Sequence, residues 1–142
     1  MVTSPVQRIA EDWIAYARHE DVSDAPDQVA ADAQSMVELP QEQPELAWDV
    51  IKCVVDRYSV AEIFSSEETE AKRVLGWVSA GPLEDLLGLN GEAFIDRVEV
   101  EAQRDRRMAW MLGGMYQFLM SDEVWARTRR VAIEWPAGPE QA

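Results

Sequence analysis

The sequence predicts an all-α domain, a compact bundle or short stack of about seven helices, and three observations predict it. Apolar residues recur at the three-and-four spacing of one helix face along most of the chain. Ser, Asp and Pro stand where helix N-termini need caps. Nowhere does period-2 alternation, or an Asn-Gly turn between apolar runs, mark a hairpin. At 142 residues the chain fits one domain, of whose unfolded surface roughly 70% can be buried. We read a single helical domain over residues 1–136 and a disordered tail over 137–142. No strict internal period supports a solenoid.

The first helix opens at Ser4-Pro5-Val6-Gln7. Ser caps, Pro presets the first turn, and Gln reaches back as the second half of a capping box. Val6, Ile9, Ala10, Trp13 and Ala17 share its inward face. Residues 20–27 are acidic, contain Pro26 and read as a loop; residues 28–39 then form a short helix. Pro40 and Pro44 bracket Gln41-Glu42-Gln43. Because Pro suits a first turn but not a helix interior, the next helix begins near Pro44. Ala47, Val50, Ile51, Val54, Val55 and Tyr58 supply its stripe. A strand over residues 50–55 competes, but Asp49, Lys52 and Asp56 fit a helical polar face better.

Ser65-Ser66-Glu67-Glu68 repeats the capping-box signature and predicts a helix carrying Ala71, Val74, Leu75 and Val78. Pro82 restarts a short helix with Leu83, Leu86 and Leu87 inward. Glu84 and Asp85 complement its dipole, and Gly88 with Asn90-Gly91 stops it. Phe94, Ile95, Val98 and Ala102 mark the next helix, opposite Asp96, Arg97, Glu99 and Glu101. Asp105 caps its successor, where Met108, Met111, Leu112, Met115, Phe118 and Leu119 repeat most regularly of all. The Gly113-Gly114 pair within it weakens a helix by about 1 kcal/mol per residue relative to Ala, which predicts close approach of a neighbouring helix. Ser121-Asp122-Glu123 opens the last helix, Arg127, Arg129 and Arg130 sit toward its negative end, and Trp135-Pro136 ends it.

Composition bounds the function. Asp and Glu number 27 against 13 Lys and Arg, a net charge of −14, which argues against nucleic acid and anionic membranes as partners. No stretch approaches the ~18 apolar residues of a membrane span, and the start lacks the pattern of a secretory signal; the expected compartment is the cytoplasm. Cys53 is the only Cys, and its neighbours Ile51, Val54 and Val55 predict a buried small hydrophobe. His19 is the only His. As a cation at a helix C-terminus it needs no further role, and a zinc site would need partner ligands. No Gly-rich phosphate loop follows a strand. No cofactor is expected, and no enzymatic activity.

The best enzymatic alternative is a carboxylate metal site for a hydrolase, built from Glu84, Asp85, Asp96 and Glu99 across two adjacent helices. Such bundles add Glu-x-x-His pairs, which this chain lacks, and dipole complementarity already accounts for Glu84 and Asp85. The Met series from Met108 to Met120 reads as core at its helical spacing. A Met- and Trp-lined face forming a homodimer is the alternative. Trp, of which there are six, is enriched at binding hot spots. Trp13, Trp48, Trp77 and Trp125 fall near predicted apolar faces; Trp110 and Trp135 fall off them and are the candidates for exposed contact.

The run from Trp77 through Ala80-Gly81-Pro82-Leu83-Glu84-Asp85-Leu86-Leu87, followed by Asn90-Gly91, Asp96-Arg97-Val98-Glu99 and Ala102, resembles a family of small bacterial domains of unknown function. The resemblance extends from Trp48 to about Trp125, and Gly-Pro-Leu-Glu-Asp-Leu-Leu is its most specific part. It implies a helical fold and no activity. The family pattern often has His before the glycine where this chain has Asn90, so no role for such a His carries over. Members resemble small proteins encoded beside toxins or defence systems.

The acid is concentrated. Residues 1–70 hold 16 Asp or Glu and 4 Lys or Arg, a net of −12; residues 71–142 hold 11 and 9, a net of −2. Solubility alone would be met by a net magnitude of roughly 2–8, whereas an acidic face steers a basic partner and speeds its capture. A generally acidic proteome is the competing explanation. The expected function is therefore a cytoplasmic, non-enzymatic interaction protein, an immunity or antidote-type inhibitor of a basic partner such as a toxin. Glu20, Asp21, Asp24, Asp27, Glu67, Glu68 and Glu70 are the expected acidic surface, with Trp110 as anchor.

Overall fold

The computed structural model describes residues 4–18 and 34–135. Its elements are α1 (Pro5–Ala17), α2 (Ser35–Glu42), α3 (Pro44–Val55), α4 (Val60–Ile63), α5 (Glu70–Val78), a π-helical turn (Ser79–Leu83), α6 (Glu84–Arg104), α7 (Arg106–Gly113) and α8 (Asp122–Val131). No strand occurs among the described residues, and the domain is all-α as the periodicity implies. The expected tail and residues 28–33 of the expected second helix lie outside the described residues.

Local chemistry starts most of these helices. Ser4 accepts from the Gln7 N–H and Gln7 returns the bond to the Ser4 N–H, closing the capping box of α1. Pro44 occupies the first turn of α3. Asp105 caps α7 and Ser121 caps α8 through the Arg107 and Val124 N–H groups. Each cap satisfies a donor that the helix itself leaves unpaired.

Packing places α3 and the continuous run from α5 through the π turn into α6 at the centre. α1 lies across α3 and α5, α2 covers α3, α6 and the π turn, and α7 and α8 lie along α6. Trp13, Ile51, Leu75, Leu83, Phe94 and Met111 are fully buried where these elements meet. Burying each such side chain stabilises the fold by about 1.5–3 kcal/mol, which is why the apolar stripes dominate the architecture. Met108, Met111, Met115 and Met120 all point inward, so the Met series belongs to the core.

Several local expectations give way to tertiary contacts. Ser65 does not cap a helix; its hydroxyl accepts from the Glu67 N–H in a tight turn, and Thr69 caps α5 instead. The Lys72 ammonium, donating to the Ser65 and Glu67 carbonyls, folds the segment back onto α5. A second capping box, Ser59 with Glu62, opens the short α4 that the sequence reading passed over. Pro82 does not restart a helix but sits inside the π turn. Widening that turn relieves the clash between a proline ring and the carbonyl four residues back, and the Ser79 hydroxyl, donating to the Met111 carbonyl, anchors it. α6 is two helical stretches joined at Asn90, where the sequence places the stop: the Asn90 backbone leaves helical geometry, at φ −135 and ψ 29, and its side-chain amide donates to the Pro40 carbonyl at 3.0 Å. That bond gives the Pro40 carbonyl, inside α2, the donor that Pro44, lacking an N–H, cannot supply.

The Met-rich helix is shorter than its periodicity suggests. α7 ends at Gly113, and residues 115–120 are irregular, with Leu119 in the left-handed region at φ 61. Phe118 and Leu119 are exposed rather than inward. Gly113 does mark a close approach, but the neighbour is the extended segment after α8: a Cβ there would run into the Ile133 carbonyl. α8 itself ends at Val131, short of Trp135, and the Ile133 N–H donates to the Ala109 carbonyl at 2.9 Å. Cys53 is partly rather than fully buried.

Candidate functional site

The acidic surface expected from the sequence is in part described. Glu20, Asp21, Asp24 and Asp27, with His19, lie outside the described residues. Glu67 and Glu68 stand exposed on the loop between α4 and α5, and Glu70 is the first residue of α5. Thr69 holds this loop by donating its hydroxyl to the Glu62 carbonyl at 2.9 Å. Four carboxylates, Glu62, Glu67, Glu68 and Glu70, therefore crowd one short stretch of chain at the N-terminal end of α5. The positive pole of that helix favours them there.

A cleft of about 340 Å³ opens beside this stretch, lined by Glu11, Asp12, Arg18, Arg57, Tyr58 and Glu70 among others. α1 supplies one wall, and the end of α3 with the start of α5 supplies the other. The Tyr58 hydroxyl donates to the Glu70 carboxylate at 2.9 Å. Burial first, and then that carboxylate, push the phenol's pKa up from its ordinary value. Arg57 pairs with Glu11 across the cleft. The Arg73 guanidinium donates to the Arg18 carbonyl at 3.1 Å, which holds the end of α1, from which the sequence runs on to Glu20, against α5 one turn beyond Glu70.

Trp110, the expected anchor, packs against a second tryptophan. It is half-buried, its ring lies 4.6 Å from that of Trp135, and its carbonyl accepts from the Trp135 indole N–H at 2.7 Å. The pair clasps the extended end of the chain to α7. The tryptophan that stands out is Trp77, which the sequence reading placed near an apolar face and which is 44% exposed. The most exposed aromatic is Tyr116, at 75%. No local signal finds either, because which flank of a helix or loop is left uncovered is decided by the elements packed around it.

The four carboxylates of the metal alternative do not converge. Glu84 and Asp85 lie before the Asn90 kink of α6, Asp96 and Glu99 after it. Arg127 reaches from α8 to both Asp96 and Glu99, while Glu84 accepts from the Tyr116 N–H at 3.0 Å. Among the described residues no group of three or more His, Cys, Asp or Glu is placed to hold a metal ion. Among those residues, too, no helix is long and apolar enough to cross a membrane.

A family model described as a family of unknown function (DUF6869) matches residues 18–135. No curated protein and no solved structure gives a match.

Proposed function

From the premise that the chain belongs to DUF6869, a family of unknown function, we propose a non-enzymatic protein-interaction domain that captures a basic protein through an acidic face. In this reading it acts as an immunity or antidote-type inhibitor of a toxin in the bacterial cytoplasm. The observation that carries it is the crowding of Glu62, Glu67, Glu68 and Glu70 on one short stretch of surface. Arg57, Arg97, Arg104, Arg107, Arg127 and Arg129 each engage a carboxylate of this same chain. Glu67 and Glu68 are exposed and, among the described residues, have no ionic partner.

What this stretch offers a visitor is negative charge that no cation among the described residues pairs. Unpaired carboxylates on one face attract a positive surface over a distance of about a Debye length, roughly 8–10 Å at moderate salt, and raise the rate of productive encounter. Speed of capture is what an inhibitor of a damaging protein needs. The Tyr58 and Arg73 hydrogen bonds fix Glu70 and the end of α1 beforehand, so less ordering is required on binding.

The test compares wild type with a Glu67→Gln/Glu68→Gln/Glu70→Gln variant as affinity baits in extract of the native host, with the captured proteins identified by mass spectrometry. The reading expects a basic protein recovered by wild type and lost or strongly reduced with the variant. Identical recovery by both baits overturns the assignment of the face.

A further inference from the structure

On the side of the domain where α1 and α2 meet the π turn lies a second, smaller pocket of about 200 Å³. Trp77, Gly81 and Asp85, at four-residue steps along the α5–π–α6 run, all line it. Tyr16 from α1 meets Trp77 edge to face, with ring centroids 5.8 Å apart. Met36 and Val37 from α2 and Pro82 from the π turn add apolar lining, and Gln34, just before α2, adds one neutral polar side chain. Gly81 forms the trough between the aromatic end and the acidic end: a Cβ built on it meets nothing within 4 Å. Asp85 is half-buried at the acidic end and, among the described residues, has no hydrogen-bond or ionic partner. Every arginine–carboxylate pair described above leaves it out.

A partly desolvated carboxylate without a counter-charge is unfavourable in a finished fold, and a π-helical turn inserted in a long helix is a feature frequently found at functional sites. The lining has the chemistry of one ligand class. An apolar trough ending in a single anion matches a side chain with an apolar stem and a cationic head. The planar guanidinium fork fits a carboxylate better than a point-charge ammonium does.

We propose that this pocket receives an arginine side chain of the basic partner, the guanidinium on Asp85 and the methylene stem along Gly81 against Trp77 and Tyr16. The inference rests on the function proposed above for the source of the arginine; the chemistry of the pocket stands on its own lining.

The probe is N-acetyl-arginine N-methylamide, titrated into the full chain while the Trp77 indole N–H is followed by two-dimensional ¹H–¹⁵N NMR, with Trp77→Phe assigning the resonance. The proposal expects saturable shifts with the arginine probe, none with its neutral citrulline counterpart, and weaker binding of the lysine counterpart. Asp85→Asn is expected to weaken arginine binding by about tenfold or more, as loss of a charge-assisted bidentate bond does. Gly81→Ala is expected to weaken it severalfold without lowering the melting temperature, since the added methyl enters open space. The Glu67→Gln/Glu68→Gln/Glu70→Gln variant is expected to bind the probe as wild type does, so failure of the acidic face and failure of the pocket are read separately. Absence of saturable shifts, an equal response to citrulline, lysine binding as tightly as arginine, or undiminished binding in Asp85→Asn would each overturn the proposal.

Discussion

The Tyr58 hydroxyl donates to the Glu70 carboxylate at 2.9 Å, tying the turn after α3 to the first residue of α5. The phenol is buried and faces a negative group, so its proton is held more tightly in the folded than in the unfolded chain. Its contribution to stability is therefore complete below the ordinary tyrosine pKa and is lost as pH climbs above it. In an ultraviolet titration Tyr58 should ionise above the ordinary tyrosine range. Tyr58→Phe should cost about 1 kcal/mol in a denaturant melt while leaving partner capture intact, because the Glu70 charge remains.

Asp85 titrates in the opposite sense from a paired carboxylate. Burial raises its pKa, and the same cause raises that of Glu84. The folded state therefore binds these protons more tightly than the unfolded chain, and stability falls as pH rises through and above the ordinary carboxylate range. Thermal melts of Asp85→Asn should show a higher melting temperature than wild type at neutral pH, and no gain at a pH where wild-type Asp85 is protonated. A lower melting temperature at neutral pH would mean that Asp85 has a counter-charge after all.

Two glycines should respond to the same substitution with opposite signs. Gly113→Ala drives a methyl into the Ile133 carbonyl and should destabilise by about 1–3 kcal/mol, as overpacking does, although Ala is the better helix former. Gly81→Ala meets open space and should leave stability unchanged or raise it by up to about 1 kcal/mol. Paired denaturant melts measure both.

The Trp110–Trp135 clasp is a prediction about stability rather than binding. Trp135→Ala loses the ring contact and the indole hydrogen bond and should cost about 2 kcal/mol, less than the 3–5 kcal/mol of a fully buried tryptophan, since Trp135 is 37% exposed. The near-ultraviolet dichroism of the tilted indole pair should fall with it.

Because Arg127 holds Asp96 and Glu99, millimolar magnesium or zinc should leave the thermal melt unshifted. A stabilising shift that Glu99→Gln abolishes would revive the carboxylate metal site.

What was legible in the sequence was what is decided within one turn. The Ser4, Asp105 and Ser121 caps and the first-turn Pro44 act on donors two or three residues away, and the structure has each where the sequence places it. The errors lie where distant residues decide. Thr69 displaces Ser65 because Lys72 folds the loop over, and Pro82 enters a π turn that the Ser79 hydroxyl anchors on the Met111 carbonyl, 32 residues away. The Met periodicity runs past Gly113, yet the helix does not, because the chain must turn at Leu119 to bring α8 back along α6. The same limit holds for the candidate sites. The excess of Glu at residues 62–70 is visible as composition, whereas the pocket joining Tyr16, Trp77 and Asp85 exists only once α1 and α2 are docked beside the π turn.

The most direct test of the acidic face is the association rate constant with the captured partner, measured by stopped flow as sodium chloride is raised from about 20 to 150 mM. The account predicts a fall of about tenfold or more, with the Glu67→Gln/Glu68→Gln/Glu70→Gln variant slow at low salt and nearly flat across the range. A wild-type rate that is independent of salt, or one matched by the variant at every concentration, would contradict it.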